Sequence, residues 1–371
     1  MQACNQVSIE SGRPRSRIGG AAASLAVAAA LAAGSPALGS PPDYLLVPSK
    51  DTDNVLRYDG VTGDFVDEFV RHKSGRLNQP VGLIFGPHDH NLYVSCGYYG
   101  GPGQLRAVLR YDGTTGKFID QFTEPGHLEK VNQLLFGPDG NLYVSNGHEG
   151  SYGGVVRFNG LTGAFIDDFV PPVAGRLRAP GGMVFGPSLE DPDRLDLYIA
   201  SGWYGNVLRF HGQTGAFLGE FVNPARDGLG YAVGVTFGPE GHLYVATSGF
   251  FPPHAYGDPN GVVRYQGPHE PTPGALIGVF VPPGSGGLLD PLSLLFGPDG
   301  NGDGHQDLYV SNAQWVASYE TKEHTSTVKR YDGLTGAFLD TFVEPDSGGL
   351  AGPWSLAFGK TDPMTLAYTG P

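Results

Sequence analysis

The chain has 371 residues, 59 of them Gly and 31 Pro, so these two types fill 90 positions and disfavour long helices. Forty per cent of the residues are hydrophobic and 11% aromatic, with 21 Phe and 18 Tyr; that is enough apolar material for a large core and excludes a disordered chain. Lys and Arg total 23 against 37 Asp and Glu, a net charge of −14 with no basic stripe, which argues against nucleic acid as a partner.

At the N-terminus, Arg13, Arg15 and Arg17 precede an apolar run over residues 18–33, followed by Ser35, Pro36 and small residues around Gly39. That order matches the charged, apolar and cleavage regions of a secretion signal. The run is shorter than the roughly 20 residues that span a bilayer, so residues 1–39 read as a cleaved signal peptide and the mature chain as secreted or periplasmic, without a membrane span. Cleavage near Gly39 takes the net charge to −16 and removes Cys4, leaving Cys96 as the single thiol. No internal disulfide is then available, and Cys96 is expected to be a small buried hydrophobe.

The mature region is repetitive. Phe-Gly-Pro occurs at Phe85, Phe136, Phe185, Phe237 and Phe296, with Phe358-Gly359-Lys360 as a worn sixth copy, at intervals of 51, 49, 52, 59 and 62 residues. A second marker keeps step with it: Arg-Tyr-Asp-Gly or a close variant at Arg57, Arg110, Arg157, Arg209, Arg264 and Arg330. Each unit reads as four short strands. The first ends in the marker Phe, as over residues 81–85. The second is Asn-Leu-Tyr-Val-Ser, as over residues 141–145, after the turn Gly137-Pro138-Asp139-Gly140. The third is Val-Leu-Arg-Phe over residues 207–210 and its equivalents. The fourth, as over residues 337–342, follows Asp332-Gly333-Leu334-Thr335-Gly336, whose glycines suit a tight hairpin. This last segment alternates poorly, and its pattern also suits a helix, but the turn signals on both sides leave room only for a strand.

Six four-stranded units can bury both faces of every sheet by stacking around an axis, so the expected fold is an all-β, six-bladed β-propeller over residues 42–368. The mature chain opens at residues 44–47 on a second-strand sequence and closes at residues 356–358 on a first-strand sequence. The C-terminal strand is therefore expected to complete the N-terminal blade and close the ring.

The repeating Leu-x-Phe-Gly-Pro-Asp-Gly-Asn-Leu-Tyr-Val-Ser with Val-x-Arg-Tyr-Asp-Gly resembles NHL-type repeats and the related propellers of streptogramin lyases and gluconolactonases. WD40 and kelch repeats fit less well, because no Gly-His and Trp-Asp pair recurs and the Gly181-Gly182 pair is not repeated at matching places. The resemblance implies the architecture, not an activity.

In such a meander the turns joining strands one to two and three to four share one side, and here they are short. The other side carries long aromatic connections with Tyr98, Tyr99, Tyr152, Trp203, Tyr204, Phe250, Phe251, Tyr256, Trp315 and Tyr319. Long loops tolerate function at little closure entropy, and exposed rings suit a protein, glycan or other small ligand; packing over blade edges would equally account for some of them. One short-side turn is lengthened. Asp299, Asn301, Asp303 and Asp307 place oxygen ligands at positions 1, 3, 5 and 9, His305 offers a carbonyl at position 7, and Gly304 permits the sharp bend. The loop is expected to hold a structural Ca²⁺, resembling the calcium loops of integrin-type propellers; position 12 is Val310 rather than a bidentate acid. Glu190, Asp191, Asp193 and Asp196 form a looser acidic insertion in another unit, read as a solvated turn.

Lactonases of the gluconolactonase type hold a cation in the central channel with acids and amides. In this sequence no Asp or Glu occurs in the last six residues of any first strand, where Asn132 and Gln133 are the only amides. The acid/base candidates are therefore loop residues, His148, Glu149, His254 and Asp290. The favoured function is an exported binding or scaffold propeller with one structural calcium loop; the alternative is a lyase or lactone hydrolase.

Overall fold

The computed structural model describes residues 43–98, 103–147, 152–227, 230–248, 260–313 and 326–370; residues 1–39, expected from the sequence to be a signal peptide, lie outside them. Blade 1 contains β1 (Tyr44–Ser49), β2 (Asn54–Asp59) and β3 (Phe65–Val70). Blade 2 is β4 (Leu83–Phe85), β5 (Leu92–Cys96), β6 (Ala107–Tyr111) and β7 (Phe118–Gln121), and blade 3 is β8 (Lys130–Phe136), β9 (Leu142–Gly147), β10 (Gly153–Phe158) and β11 (Phe165–Val170). Blade 4 follows as β12 (Pro180–Pro187), β13 (Leu195–Ser201), β14 (Asn206–Phe210) and β15 (Phe217–Val222). Blade 5 is β16 (Tyr231–Phe237), β17 (Leu243–Ser248), β18 (Gly261–Tyr265) and β19 (Leu276–Val281); blade 6 is β20 (Pro291–Phe296), β21 (Leu308–Asn312), β22 (Thr327–Tyr331) and β23 (Phe338–Val343).

The ring closes as the sequence requires. β24 (Ala357–Phe358) pairs antiparallel with β1, Leu45 opposite Phe358 and Leu46 opposite Ala357, giving the order β24-β1-β2-β3. The result is six four-stranded antiparallel blades in a closed ring, a six-bladed β-propeller with no regular helix beyond short 3₁₀ turns among the described residues.

Adjacent blades are joined by a recurring aromatic wedge. The second-strand Tyr is buried edge-on between the Phe of its own fourth strand and the marker Phe of the next blade. Tyr143 meets Phe169 at 4.8 Å and Phe185 at 5.2 Å between ring centroids; Tyr309 meets Phe342 and Phe358 at 4.9 Å each. The third-strand Arg lies over the fourth-strand Phe, as Arg157 does over Phe169 at 5.0 Å, while pairing with Asp167 at 2.6 Å. Each edge-on pair contributes about 0.5–1.5 kcal/mol beyond its area, and the repeats bind one another through these wedges.

The poor alternation of the fourth strands also has a physical cause. Phe118, Phe217, Phe338 and Phe65 fold back over Gly75, Gly175, Gly286 and Gly348, each in the left-handed region. At Gly286 (φ 60°) a Cβ would sit 2.1 Å from the Phe338 ring, so that turn requires glycine both for its backbone and for its neighbour.

On the inner strands, register shifts in β8, β12, β16 and β20 mark a bulge just before the marker Phe. A second-strand serine caps the amide exposed there: Ser95 Oγ accepts from Gly82 N at 2.7 Å, and Ser145 and Ser311 do the same for Gln133 and Ser293 at 3.0 Å. A bulge re-aims the side chain beside it. Four residues before the marker Phe, Val81, Val233, Leu292 and Trp354 join Ala313 in one buried cluster with Tyr98 packed against it. These residues come from blades on opposite sides of the ring, so the cluster closes the channel with apolar side chains.

Candidate functional site

Beside that apolar plug, on the long-loop face, lies a recess of about 190 Å³. Three of the ten aromatic candidates meet there. Tyr98 follows β5, Tyr152 precedes β10, and Trp203 follows β13, so each comes from a connection between second and third strands. Trp354, just before β24, forms a further wall and packs on Tyr98 with ring centroids 4.7 Å apart. The Arg178 guanidinium lies 4.5 Å from the Tyr152 ring centre and 5.0 Å from that of Trp203. Its backbone is fixed by Ser201, whose Oγ accepts from Arg178 N at 3.2 Å and donates to Arg178 O at 3.1 Å. Lys130 and Asn132, both on β8, complete the lining with Gly181 and Val233. Asn132 Nδ2 donates to Pro180 O at 3.0 Å, while its Oδ1 is buried without a hydrogen-bond partner.

Tyr204 stands apart from this recess, in a neighbouring groove under Arg176, whose guanidinium is 5.3 Å from its ring; Arg178 and Arg176 together lower its phenol pKa. Tyr99, Phe250, Phe251, Tyr256, Trp315 and Tyr319 lie outside the described residues, as do His148, Glu149 and His254. Asp290 is described and does not line the recess. It is buried, receives the Ser248 hydroxyl hydrogen bond and has its own N–H bonded to Asn312 Oδ1 at 3.1 Å; burial raises its carboxyl to about 7.

On the opposite face, Asp299 and Asp307 bracket the lengthened turn. Asp299 Oδ2 accepts from Gly304 N at 2.8 Å and its Oδ1 from Gly302 N at 2.7 Å, hydrogen bonds that hold its carboxyl below the usual range. Asn301 Oδ1 accepts from Asp303 N at 2.9 Å and Asp303 Oδ1 from His305 N at 2.8 Å. Asp307 is fully buried. Its Oδ2 accepts from Gly300 N at 2.9 Å, and its Oδ1 has no partner. Desolvation, with Asp299 and Asp303 adding repulsion, raises its carboxyl to about 6.

Blade 4 shows how a buried carboxylate at this position can be satisfied. Asp196 stands before the Leu-Tyr of β13 as Asp307 stands before the Leu-Tyr of β21. Its Oδ1 takes Arg194 Nε at 3.0 Å and its Oδ2 takes Arg209 Nη1 at 2.8 Å, with Glu190 pairing Arg209 at 2.6 Å. Glu190 and Asp193 are exposed and Asp191 is half-exposed, as a solvated turn requires, but Asp196 is fully buried and clamped by two guanidinium groups. In blade 6 the residue equivalent to Arg209 is Arg330, 4.0 Å from Asp307 Oδ2 and committed to Asp340, and the position two before the buried Asp, Arg194 in blade 4, is His305. The oxygen that meets a cation in one blade is left bare in the other, so the donor set fits a hard cation. Among the described residues no three His, Cys, Asp or Glu side chains already converge as a formed metal site; Asp303 would have to turn toward Asp307.

The channel fits a lactonase-type cation poorly. Residues four before the marker Phe put Val81, Val233, Leu292 and Trp354 at its mouth, and those three before it are Gly82, Gln133, Gly182, Gly234, Ser293 and Ser355. Gln133 Oε1 is taken by Met183 N at 2.8 Å and Ser355 Oγ by Leu83 N at 3.1 Å. These groups serve blade-to-blade bonding and bring no charge to the axis. Cys96, fully buried, takes both Asn78 N–H groups at 3.4 and 3.2 Å and is raised to about 11 by burial.

No protein-family model and no curated protein matches the chain. Among solved structures, a protein of unknown function from Bacteroides caccae is 12% identical with a TM-score of 0.56, covering 86% of this chain and 99% of its own. A calcium-binding protein, regucalcin, from Agrobacterium tumefaciens is 16% identical (TM-score 0.47, covering 81% of this chain and 91% of its own). A gluconolactonase from Xanthomonas campestris is also 16% identical (TM-score 0.47, covering 72% and 79%). At these identities the likeness is one of fold. Among the described residues no helix is long and apolar enough to cross a membrane.

Proposed function

We propose that this chain is an exported binding propeller whose long-loop face holds a glycan-type ligand in the recess of Tyr98, Tyr152, Trp203 and Trp354, stabilised on its opposite face by one Ca²⁺ at Asp299, Asn301, Asp303, His305 O and Asp307. The observation that carries the binding reading is the convergence of rings from blades 1 to 4 around a recess with a fixed, unpaired acceptor at Asn132 Oδ1. Rings supply contact area at low entropic cost, and a preformed recess with few polar groups is the usual form of a small-molecule site. The calcium reading rests on the bare oxygen of Asp307, set against the clamped Asp196. Export rests on the N-terminal order of arginines, apolar run and small residues.

The test is a glycan and metabolite binding screen on the protein, repeated with Trp203→Ala and Trp354→Ala. The proposal expects a ligand whose affinity falls at least roughly tenfold in each variant, the size typical of a central aromatic anchor. A ligand whose affinity neither substitution changes would place binding elsewhere. The lactone hydrolase alternative draws no support from the channel, which brings together no acid and base among the described residues.

A further inference from the structure

We propose that the recess on the long-loop face is selective for an acidic sugar, a pyranose ring carrying a carboxylate; this rests on the reading of that recess as the ligand site and adds the charge of the ligand to it. Three independent features of the wall define the chemistry. Trp203 and Trp354 line the recess, and indole rings bind the C–H face of a sugar as they bind other apolar surface. About 190 Å³ is below the 300–1,000 Å³ usual for drug-sized ligands, so the space suits a single ring.

The second feature is Asn132. It is 5% exposed; Nδ2 gives one of its two hydrogens to Pro180 O, and Oδ1, which can only accept, is buried without a partner. A buried acceptor without a partner calls for a donor from the ligand, which a sugar hydroxyl supplies and a purely aromatic or aliphatic molecule does not.

The third feature is charge. The chain carries −14, yet the described lining of this recess contains no Asp or Glu and does contain Lys130, whose exposed side chain rises from the start of β8 over Gly147. Arg178 stands behind the rings of Tyr152 and Trp203. A local positive field in an acidic protein attracts an anion and repels an amino sugar. A neutral sugar would use the rings and Asn132 but leave Lys130 idle.

Calorimetric titration of the protein with trigalacturonate, galactotriose and a glucosamine trimer, in one buffer, tests this. The expected result is trigalacturonate binding at least tenfold tighter than galactotriose, weakening as salt is raised, with no glucosamine binding. Lys130→Met, at an exposed position that should not disturb folding, is expected to weaken trigalacturonate binding roughly three- to tenfold and leave galactotriose unchanged. Lys130→Glu should abolish acid binding and Lys130→Arg retain it. Equal affinity for the acidic and neutral sugars, or acid binding indifferent to Lys130→Met and Lys130→Glu, overturns the charge selectivity while leaving the recess as a sugar site. Binding that survives Trp203→Ala and Trp354→Ala undiminished, or no binding of any of the three sugars, overturns the proposal, and the former removes the recess as the ligand site as well.

Discussion

Blades 4 and 6 set up a direct comparison of two buried carboxylates, and calcium should act on only one of them. If the Asp307 loop binds Ca²⁺ with a dissociation constant on the order of 10⁻⁵–10⁻⁴ M, weaker than loops with a bidentate acid at position 12, then about 5 mM Ca²⁺ stabilises the fold by RT ln(1 + [Ca²⁺]/Kd), roughly 2–4 kcal/mol. For a domain of this size that raises the melting temperature by about 3–6 °C over chelator. Asp307→Asn should remove the calcium shift. In chelator it should be no less stable than the unsubstituted protein, because the side chain it replaces is a buried charge whose Oδ1 has no partner. Asp196→Asn should behave in the opposite way, costing about 3–5 kcal/mol with or without calcium, since it strips a partner from Arg194 and Arg209. Scanning calorimetry of the three proteins in Ca²⁺ and in chelator reads all of these at once. Identical melting of the unsubstituted protein in both buffers, or Asp307→Asn destabilising in chelator as Asp196→Asn does, would refute the assignment.

Three further outcomes can be checked. Asp290 holds its proton up to about pH 7 in the fold and to about 4 when unfolded; the folded state thus binds the extra proton, and stability falls as pH rises from about 4 to 7. Urea unfolding across that range should show the slope, and Asp290→Asn should reduce it, leaving the smaller share that the raised carboxyl of Asp307 contributes. Phe358, fully buried against Tyr309 and Tyr368, closes the ring; Phe358→Ala should cost about 3–5 kcal/mol in chemical denaturation, whereas a loss under about 1 kcal/mol would mean the last strand does not hold the ring shut. Cys96, buried and with its thiol raised to about 11, should resist thiol reagents in the folded protein and react only on unfolding; fast labelling without unfolding would contradict its placement.

The architecture was legible because the repeat markers are structural parts. The Phe of Phe-Gly-Pro and the Tyr of Leu-Tyr-Val are the two halves of the wedge between blades, so their period is the blade period. Ring closure was legible because the segment at Tyr44 lacks a preceding first strand and the segment at Phe358 lacks a following second one. The aromatic face was legible in part: Tyr98, Tyr152 and Trp203 meet, and Tyr204 turns to its own groove. Trp354 escapes a reading of the inner-strand position three before the marker Phe, because the residue that enters the apolar cluster is the one before it. A register shift leaves no trace in simple alternation. Listing the fourth residue before each marker, Val81, Asn132, Gly181, Val233, Leu292 and Trp354, would have shown both the plug and the recess. Asp196 read as solvated because one of its two arginines, Arg209, is 13 positions away on a neighbouring strand.

Of the three Trp in the chain, Trp203 and Trp354 line the recess, so a ligand bound there should change the tryptophan emission. Replacing Trp315 by Phe leaves emission only from those two, and titration of this variant with trigalacturonate should give a saturable change in fluorescence at the concentrations where calorimetry records heat. Heat of binding with unaltered tryptophan emission would show that the ligand sits away from these rings, and the account of the long-loop face would be wrong.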